Sequence, residues 1–377
     1  YVSGNSELNV TGTVEILADN TIDVSSSVDG STGSSGATLA VVVVDADTRA
    51  YIDGSTSTPT TGDLADSITL TATTNSTAAS SATSTAQGAD NDDSSTNQTT
   101  TLLGDPDGDG DNSDRAATSE GNINFAGALA LTIVNNVTES YIASNDDIAT
   151  ETSGTDPRIT ITAMDTESSS ATADGSNTGA GATGIGVGVA LNFTDVDSRA
   201  WLNGSGSLDS SGILVSATLA GGDTFSAEAK SGAGNAGKVS FAGSLAINVA
   251  DTFVEAAVLD GASLNLGDTP LTLVASNTAK ATASAVPDEE VGDEDGDGND
   301  GEGIGIGASV ALNIANNDSR AIIGTDATFT NASDISLKAT GDFTTETEAK
   351  GGSAGGTALT PVGAVTVALN DTVAEVG

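Results

Sequence analysis

The hydrophobic pattern of this chain is dominated by one strand-like segment that recurs six times. The clearest copies are Gly184–Gly204 (GIGVGVALNFTDVDSRAWLNG) and Gly303–Gly324 (GIGIGASVALNIANNDSRAIIG). Each copy alternates small and large apolar residues, then continues through Asn or Asp to a charged residue and a short apolar stretch. A period of two is typical of β-strands, and Gly, Asn, Asp and Ser between the runs are typical of turns. The pattern therefore predicts an all-β chain.

The charged residue of each copy alternates in sign along the chain. In order, these residues are Arg49, Glu139, Arg199, Glu255, Arg320 and Glu375. Most of them lie about 60 residues apart, which defines a half-unit too small to bury its own apolar face. The sequence thus predicts a parallel β-solenoid (β-helix) of about six half-units in three super-repeats, spanning residues 1–377 as one elongated unit. Stacked Arg and Glu would then pair on successive half-units. Tandem Ig-like β-sandwiches are the alternative fold, although such modules need about 100 residues each.

The same alternation divides the long strand into two faces. Ile185, Val187, Val189, Leu191 and Phe193 share one face, whereas Gly184, Gly186, Gly188 and Ala190 share the other. We expect the large residues to fill the core and the glycine face to let another backbone approach closely. Glycines that only relieve crowding inside a narrow coil are the other interpretation.

Composition excludes several function classes. The chain has 53 acidic and 10 basic residues, a formal net charge of -43. Nucleic acid is therefore excluded as a partner, membrane insertion is not expected, and divalent cations are favoured. Cys and His are absent, which rules out thiolate nucleophiles, the usual zinc ligands and a Ser–His–Asp triad.

Two acidic insertions, residues 88–121 and 287–302, are predicted to be surface loops on one side of the solenoid. Carboxylates at alternating positions, with glycines that let the loop curl, suit the many oxygen ligands of Ca²⁺. The pattern resembles the first half of an EF-hand loop and the Asp-rich repeats of thrombospondin type 3. Position 12 carries Ala116 or Ile304 instead of Glu, so neither loop is a full EF-hand. A solvated acidic run is the alternative. The candidate ligands are Asp105, Asp107, Asp109, Asp111, Asp114, Asp293, Asp295, Asp297 and Asp300.

The copies at Gly184–Gly204 with Ile213–Leu219, and at Gly303–Gly324 with Ile335–Ala339, resemble repeats of giant bacterial surface adhesins of the filamentous-haemagglutinin and leukotoxin-like β-helix type. The resemblance implies a right-handed β-solenoid at the cell surface or in the extracellular space. It also implies an adhesive or filament-forming role, with surface glycans or other cells as possible targets. The acidity and the Asp-rich insertions depart from the usual pattern of these repeats.

We therefore expect a non-catalytic structural or adhesive protein with calcium as its cofactor. The alternative is a polysaccharide-active β-helix enzyme, a lyase or hydrolase, built on carboxylate pairs. Trp201 occupies the position of Tyr51 and Tyr141 in other copies, which indicates strand packing and not a sugar platform. The segment at Tyr1 continues the rhythm that stops at Gly377, so the chain is expected to continue into a copy of itself, in tandem or head to tail. A boundary that fell there by chance is the other interpretation.

Overall fold

A computed structural model of the protein describes most of the chain. The described residues are 1–30, 36–59, 64–84, 123–152, 157–177, 183–220, 224–233, 239–266, 268–287, 304–352 and 357–377.

The described residues form β-strands joined by turns. In chain order the strands are β1 (Asn5–Glu7), β2 (Thr13–Asp29), β3 (Gly36–Ser57), β4 (Ser67–Thr83), β5 (Ile123–Ser144), β6 (Ile148–Ala149), β7 (Ile159–Asn177), β8 (Thr183–Asn203), β9 (Leu208–Asp209), β10 (Ile213–Leu219), β11 (Thr224–Ala233), β12 (Val239–Val258), β13 (Ser263–Asn265), β14 (Leu271–Pro287), β15 (Ile304–Ile323), β16 (Thr328–Thr330), β17 (Ile335–Ala349), β18 (Thr357–Leu359) and β19 (Val362–Val376).

Two large parallel sheets make up the solenoid. The eight-stranded sheet runs β1-β3-β5-β8-β12-β15, and both β18 and β19 pair with β15. The seven-stranded sheet runs β2-β4-β7, continues through β10 and β11 to β14, and ends at β17. Each turn of the chain adds one long strand, or two shorter ones such as β10 and β11, to each sheet in parallel register with the turn before. This confirms the predicted parallel β-solenoid, one turn per half-unit, and not a row of antiparallel sandwiches.

The strands are longer than the sequence pattern predicted. The alternating run Ile185–Phe193 and the short apolar stretch Ala200–Leu202 both belong to the uninterrupted strand β8. The charged residue between them lies on the outward face, so it does not interrupt the backbone ladder. Pro287 was assigned to the second insertion but is the last residue of β14.

The assignment of inner and outer faces in the long strand was wrong. Ile185, Val187, Val189 and Leu191 lie half-buried on the outside, and Phe193 is exposed there. Gly184, Gly186, Gly188 and Ala190 are buried inside. The reason is the close approach of the two sheets. A Cβ added at Gly186 would overlap the carbonyl oxygen of Gly232, and one at Gly188 would overlap that of Lys230. The glycines thus relieve crowding inside a narrow coil, which was the second interpretation, and the backbone that approaches them is the opposite sheet of the same solenoid.

The interior changes in character along the strands. Where the eight-stranded sheet's strands begin, the core is a cluster of alanines that includes Ala130, Ala190 and Ala246. Where they end, large side chains such as Ile52, Leu202 and Phe225 fill a wider core. Buried polar residues lie between the two apolar parts, among them Asn192 and Thr194. The cross-section is therefore narrow at one edge and wide at the other.

Candidate functional site: side-chain ladders of the solenoid

Parallel register stacks equivalent residues of successive turns into ladders, about 4.8 Å apart. The predicted charge ladder is one of them. Register places Arg49 beside Glu139, Glu139 beside Arg199, and Glu255 between Arg199 and Arg320. Arg49 Nε lies 3.1 Å from Glu139 Oε2 and 2.8 Å from Asp47 Oδ1. The alternation of opposite charges therefore avoids like-charge contacts along this column.

The last member of the predicted charge ladder is wrong. Register pairs Arg320 with Val373, whereas Glu375 lies opposite Ile322. Arg320 Nη2 instead contacts Asp318 at 3.0 Å and Asp371 at 3.7 Å. The register of this turn follows the buried Asn317, whose Nδ2 donates to Oδ1 of the exposed Asn370 at 2.8 Å. A buried amide without a partner costs more free energy than an exposed ion pair contributes. The amide of Asn317 therefore determines the register of β19.

Phe253 supports the middle of the charge ladder. The Arg199 guanidinium carbon lies 4.6 Å from the Phe253 ring centre, and that of Arg320 lies 5.5 Å away. Both arginines thus make cation–π contacts with one ring. Burial raises the pKa of Glu255, and the charges of Arg199 and Arg320 oppose that rise.

An aromatic ladder runs beside the charged one. Tyr1, Tyr51, Tyr141 and Trp201 stack with centroid distances of 4.9, 4.8 and 3.9 Å and with interplanar angles of at most 7°. Each inner ring is covered by its neighbours, so the flat faces that a sugar would need are occupied. Trp201 therefore packs on the ring of Tyr141 in the neighbouring strand, as predicted.

A polar ladder lies between the charged residues and the large apolar residues of the outer face. Asn135 Nδ2 donates to Asp45 Oδ1 at 2.9 Å, and Asn316 Nδ2 donates to Asp251 Oδ1 at 3.0 Å. Asp195 lies between these pairs in register. Partial burial raises the pKa of Asp195, and the nearby charges of Asp197 and Asp251 raise it further.

Asparagines form a second ladder inside the solenoid. Asn192 Nδ2 donates to Asn248 Oδ1 at 2.8 Å, and Asn248 Nδ2 donates to Asn313 Oδ1 at 2.9 Å. Asn313 Nδ2 ends the chain of bonds on the carbonyl oxygens of Ala281 and Glu346. All three asparagine side chains are fully buried. The ladder fixes the register of three successive turns, because a shift of one residue would break every bond in it.

Two buried carboxylates were missed by sequence reasoning. Asp165 and Glu167 lie on the inner face of β7 and are 0% exposed. Thr138 Oγ1 donates to Asp165 Oδ2 at 2.8 Å, and Asn136 Nδ2 donates to Glu167 Oε2 at 2.5 Å. Burial raises the pKa of Asp165 to about 7, and the bond from Thr138 opposes that rise. The signal was present, since both residues have the parity of the inward-facing Ile159 and Ile161.

The nine aspartates predicted to bind calcium lie outside the described residues, so their arrangement stays a prediction. Within the described ranges, no group of three or more carboxylates is arranged to hold a metal ion. The strands that flank the insertions are described. Each insertion leaves a strand of the seven-stranded sheet, β4 or β14, and enters one of the eight-stranded sheet, β5 or β15. Both insertions therefore join strands at the narrow edge of the solenoid.

No helix long and apolar enough to cross a membrane occurs in the described part of the chain. No protein-family model, curated protein or solved structure matches this chain.

Proposed function

We propose that the protein is an extracellular structural or adhesive repeat protein. It acts as a segment of a giant surface adhesin or as a subunit of a head-to-tail surface filament, and Ca²⁺ bound in its acidic insertions stabilises it. Surface glycans or other cells are its proposed targets. The proposal includes the absence of catalysis, which the stacking of the aromatic rings against one another supports.

The observation that carries the proposal is the match between the two terminal turns. β19 continues the eight-stranded sheet and packs against β17, but within the described residues no strand of the seven-stranded sheet follows β17 to cover the rest of its inner face. Its core-facing residues Ala364 and Ala368 are consequently exposed, although the equivalent Ala311 and Ala315 are buried. A polymer of stacked turns would cover this surface.

The opposite end has the complementary shape. β2 extends the seven-stranded sheet beyond β4, and its core-facing Val14 and Ile16 are only half-buried. In a stack of copies, β2 would lie on β17 and β3 would lie on β19, so that β19 and β2 complete one turn. Tandem sequence of the same repeat fits the same edges, which is why one proposal covers both the adhesin segment and the filament subunit.

Calcium accounts for the concentration of aspartate in the insertions. Without a counterion, the nine carboxylates would repel one another, in a chain that already carries a net charge of -43. Hard cations with six to eight oxygen ligands match this residue type and spacing.

The stack is tested by electron microscopy and fibre diffraction. Six turns of the solenoid, at about 4.8 Å per turn, give an axial repeat of about 29 Å per copy. An Ala368→Glu variant places a charge on a surface that stacking would bury, and it should abolish assembly without unfolding the protein. Leu369→Glu is the matched control, because it points outward in a column that carries Asp or Asn in most other turns. Assemblies that survive Ala368→Glu, or wild-type monomers at all salt and calcium concentrations, contradict head-to-tail stacking.

The calcium and non-enzyme parts need separate tests. Chelator should lower the melting temperature, and Asp107→Asn with Asp109→Asn should weaken the response to added Ca²⁺. A melting temperature that chelator leaves unchanged refutes the calcium proposal. Turnover of acidic polysaccharides that is lost on carboxylate substitution would establish the enzyme instead.

A further inference from the structure

The large apolar side chains that point outward form a continuous surface on the eight-stranded sheet. This outer apolar face consists of the residues of all turns that lie in register with Ile185, Val187, Val189, Leu191 and Phe193 of β8. Every described residue in these five columns is apolar or glycine. Many are well exposed, for example Leu39 (57%), Val43 (62%) and Val365 (51%). In a chain with 53 acidic residues, an uncharged face of this extent is the exception.

The area of the face matches that of a stable protein interface. The five columns occupy every second position of nine strand residues, which is about 30 Å along the strand. Six turns span nearly the same distance along the solenoid axis. The face therefore covers roughly 900 Å². A standard interface buries about 800 Å² on each partner. Contiguous exposed apolar patches on monomeric proteins are usually only a few hundred Å².

Charge restricts the choice of occupant. The two insertions of this chain are too acidic to cover the face, since their carboxylates would be buried without partners. An anionic membrane is disfavoured by the net charge of -43. A second copy presents the same uncharged ridges at the same spacing of about 4.8 Å, which is the condition for interdigitation of two sheets in a dry interface.

We propose that the outer apolar face packs against the same face of a second copy, to form a lateral dimer of two solenoids. This goes beyond the proposed end-to-end stacking, because it uses a sheet face and not the strand edges. It also explains why the large residues lie outside: the narrow interior cannot hold them, and the partner covers them.

The charged columns determine the relative orientation of the two copies. Asp195 and Asp197 follow the apolar columns along β8, toward the end of the strand. If strands of the two copies ran in the same direction, these acidic columns would face each other across the interface. With antiparallel strands the acidic columns lie at opposite edges of the interface. The two-fold axis then runs parallel to the solenoid axis, so the two solenoids point in the same direction and end-to-end stacking remains open to both.

Sedimentation measurements test the dimer directly. The wild type should be dimeric in about 1 M NaCl, where the repulsion between two acidic chains is screened. Leu191→Glu places a charge one column from the centre of the face and should raise the dimer dissociation constant by about 100-fold or more. Thr172→Glu, on the outward face of the seven-stranded sheet, is the control and should leave it unchanged. Circular dichroism and the melting temperature establish that both variants remain folded.

Single cysteines test the orientation, because the natural chain has none. Val189 lies at the centre of the five columns, so Val189→Cys should form a disulfide between copies on mild oxidation. Asp197→Cys should not, since antiparallel strands hold the two positions at opposite edges. Crosslinking through Asp197→Cys would refute this arrangement, whether or not Val189→Cys also crosslinks.

The lateral dimer and the end-to-end stack can be disrupted independently of each other. Ala368→Glu should block stacking and leave the dimer intact, whereas Leu191→Glu should do the reverse. A wild type that stays monomeric at high salt overturns the lateral proposal. Binding of the monomer to phosphatidylcholine vesicles, lost in Leu191→Glu, would likewise overturn it and identify a lipid surface as the occupant.

Discussion

Replacing Asp165 by Asn removes a carboxyl group that the fold buries completely. The side chain is 0% exposed on the inner face of β7, and burial raises its pKa from 3.8 to about 7. The replacement keeps the size of the side chain and an oxygen that can accept the hydrogen bond from Thr138 Oγ1. It therefore isolates the ionisation of one group.

The magnitude follows from the two pKa values. In the unfolded chain the group ionises near its ordinary pKa of 3.8, whereas in the folded protein it stays protonated up to about pH 7. Its contribution to stability is thus fully present below pH 3.8 and is lost as the pH rises through 7. The difference of about 3 pH units, at about 1.4 kcal/mol each, is about 4 kcal/mol.

The assay is urea unfolding of the wild type and Asp165→Asn from about pH 4 to pH 8, followed by circular dichroism. The buried amide of the variant leaves a donor to satisfy, which costs about 1–3 kcal/mol at every pH. We expect the variant to be the less stable protein at pH 4 and the more stable one at pH 8. The change in their difference across this range should be about 4 kcal/mol.

Asp342→Asn is the control, because Asp342 is exposed on β17 and its replacement removes the same formal charge. Its stability difference from the wild type should stay nearly constant over the same range. If Asp165→Asn shows a difference as independent of pH as that of the control, Asp165 is not a buried ionisable group and the reasoning fails.

Two other substitutions test the packing of the interior. Gly186→Ala should cost about 3 kcal/mol or more, because the new methyl group meets backbone of the opposite sheet. Gly243→Ala, which points outward with nothing within 4 Å of the added carbon, should stay within about 1 kcal/mol of the wild type; equal effects in thermal unfolding would contradict the close approach of the sheets. Asn248→Ala should cost about 3 kcal/mol in urea unfolding, since two buried asparagines lose a partner. The exposed Asn135→Ala should cost less than about 1 kcal/mol, and a similar loss in both would show that the inner ladder contributes nothing special.

Much of the architecture could be predicted from sequence because the repeat reports the stacking directly. The recurrence of about 60 residues predicted one turn per half-unit, and the charge alternation predicted which residues of five turns lie side by side. Glu375 was placed wrongly because its charge was used for alignment. The structure aligns that turn through Asn317, whose buried amide donates to Asn370. An exposed charge tolerates a shift by two residues, whereas a buried amide does not.

Some of the candidate functional features could likewise be predicted from the sequence, and others could not. The position of Trp201 beside Tyr141 followed from the repeat alone, since register is a property of the period. The buried pair Asp165 and Glu167 was overlooked although its parity matched Ile159, because two carboxylates on an inner face contradict the usual rule of burial. The calcium proposal still rests on sequence, since its aspartates lie outside the described residues.

The sequence by itself determined the period, the β-strand character of the chain and the existence of two unlike faces on each strand. It could not decide which face is inside, because alternation is symmetric with respect to the two sides of a sheet. Only the tertiary structure decided this. The seven-stranded sheet brings its own alanines, such as Ala229, against Ala190, and the gap that remains admits glycine and alanine but not isoleucine or phenylalanine. The large residues are consequently placed outside, where the fold leaves them exposed or half-buried and the proposed lateral dimer would cover them.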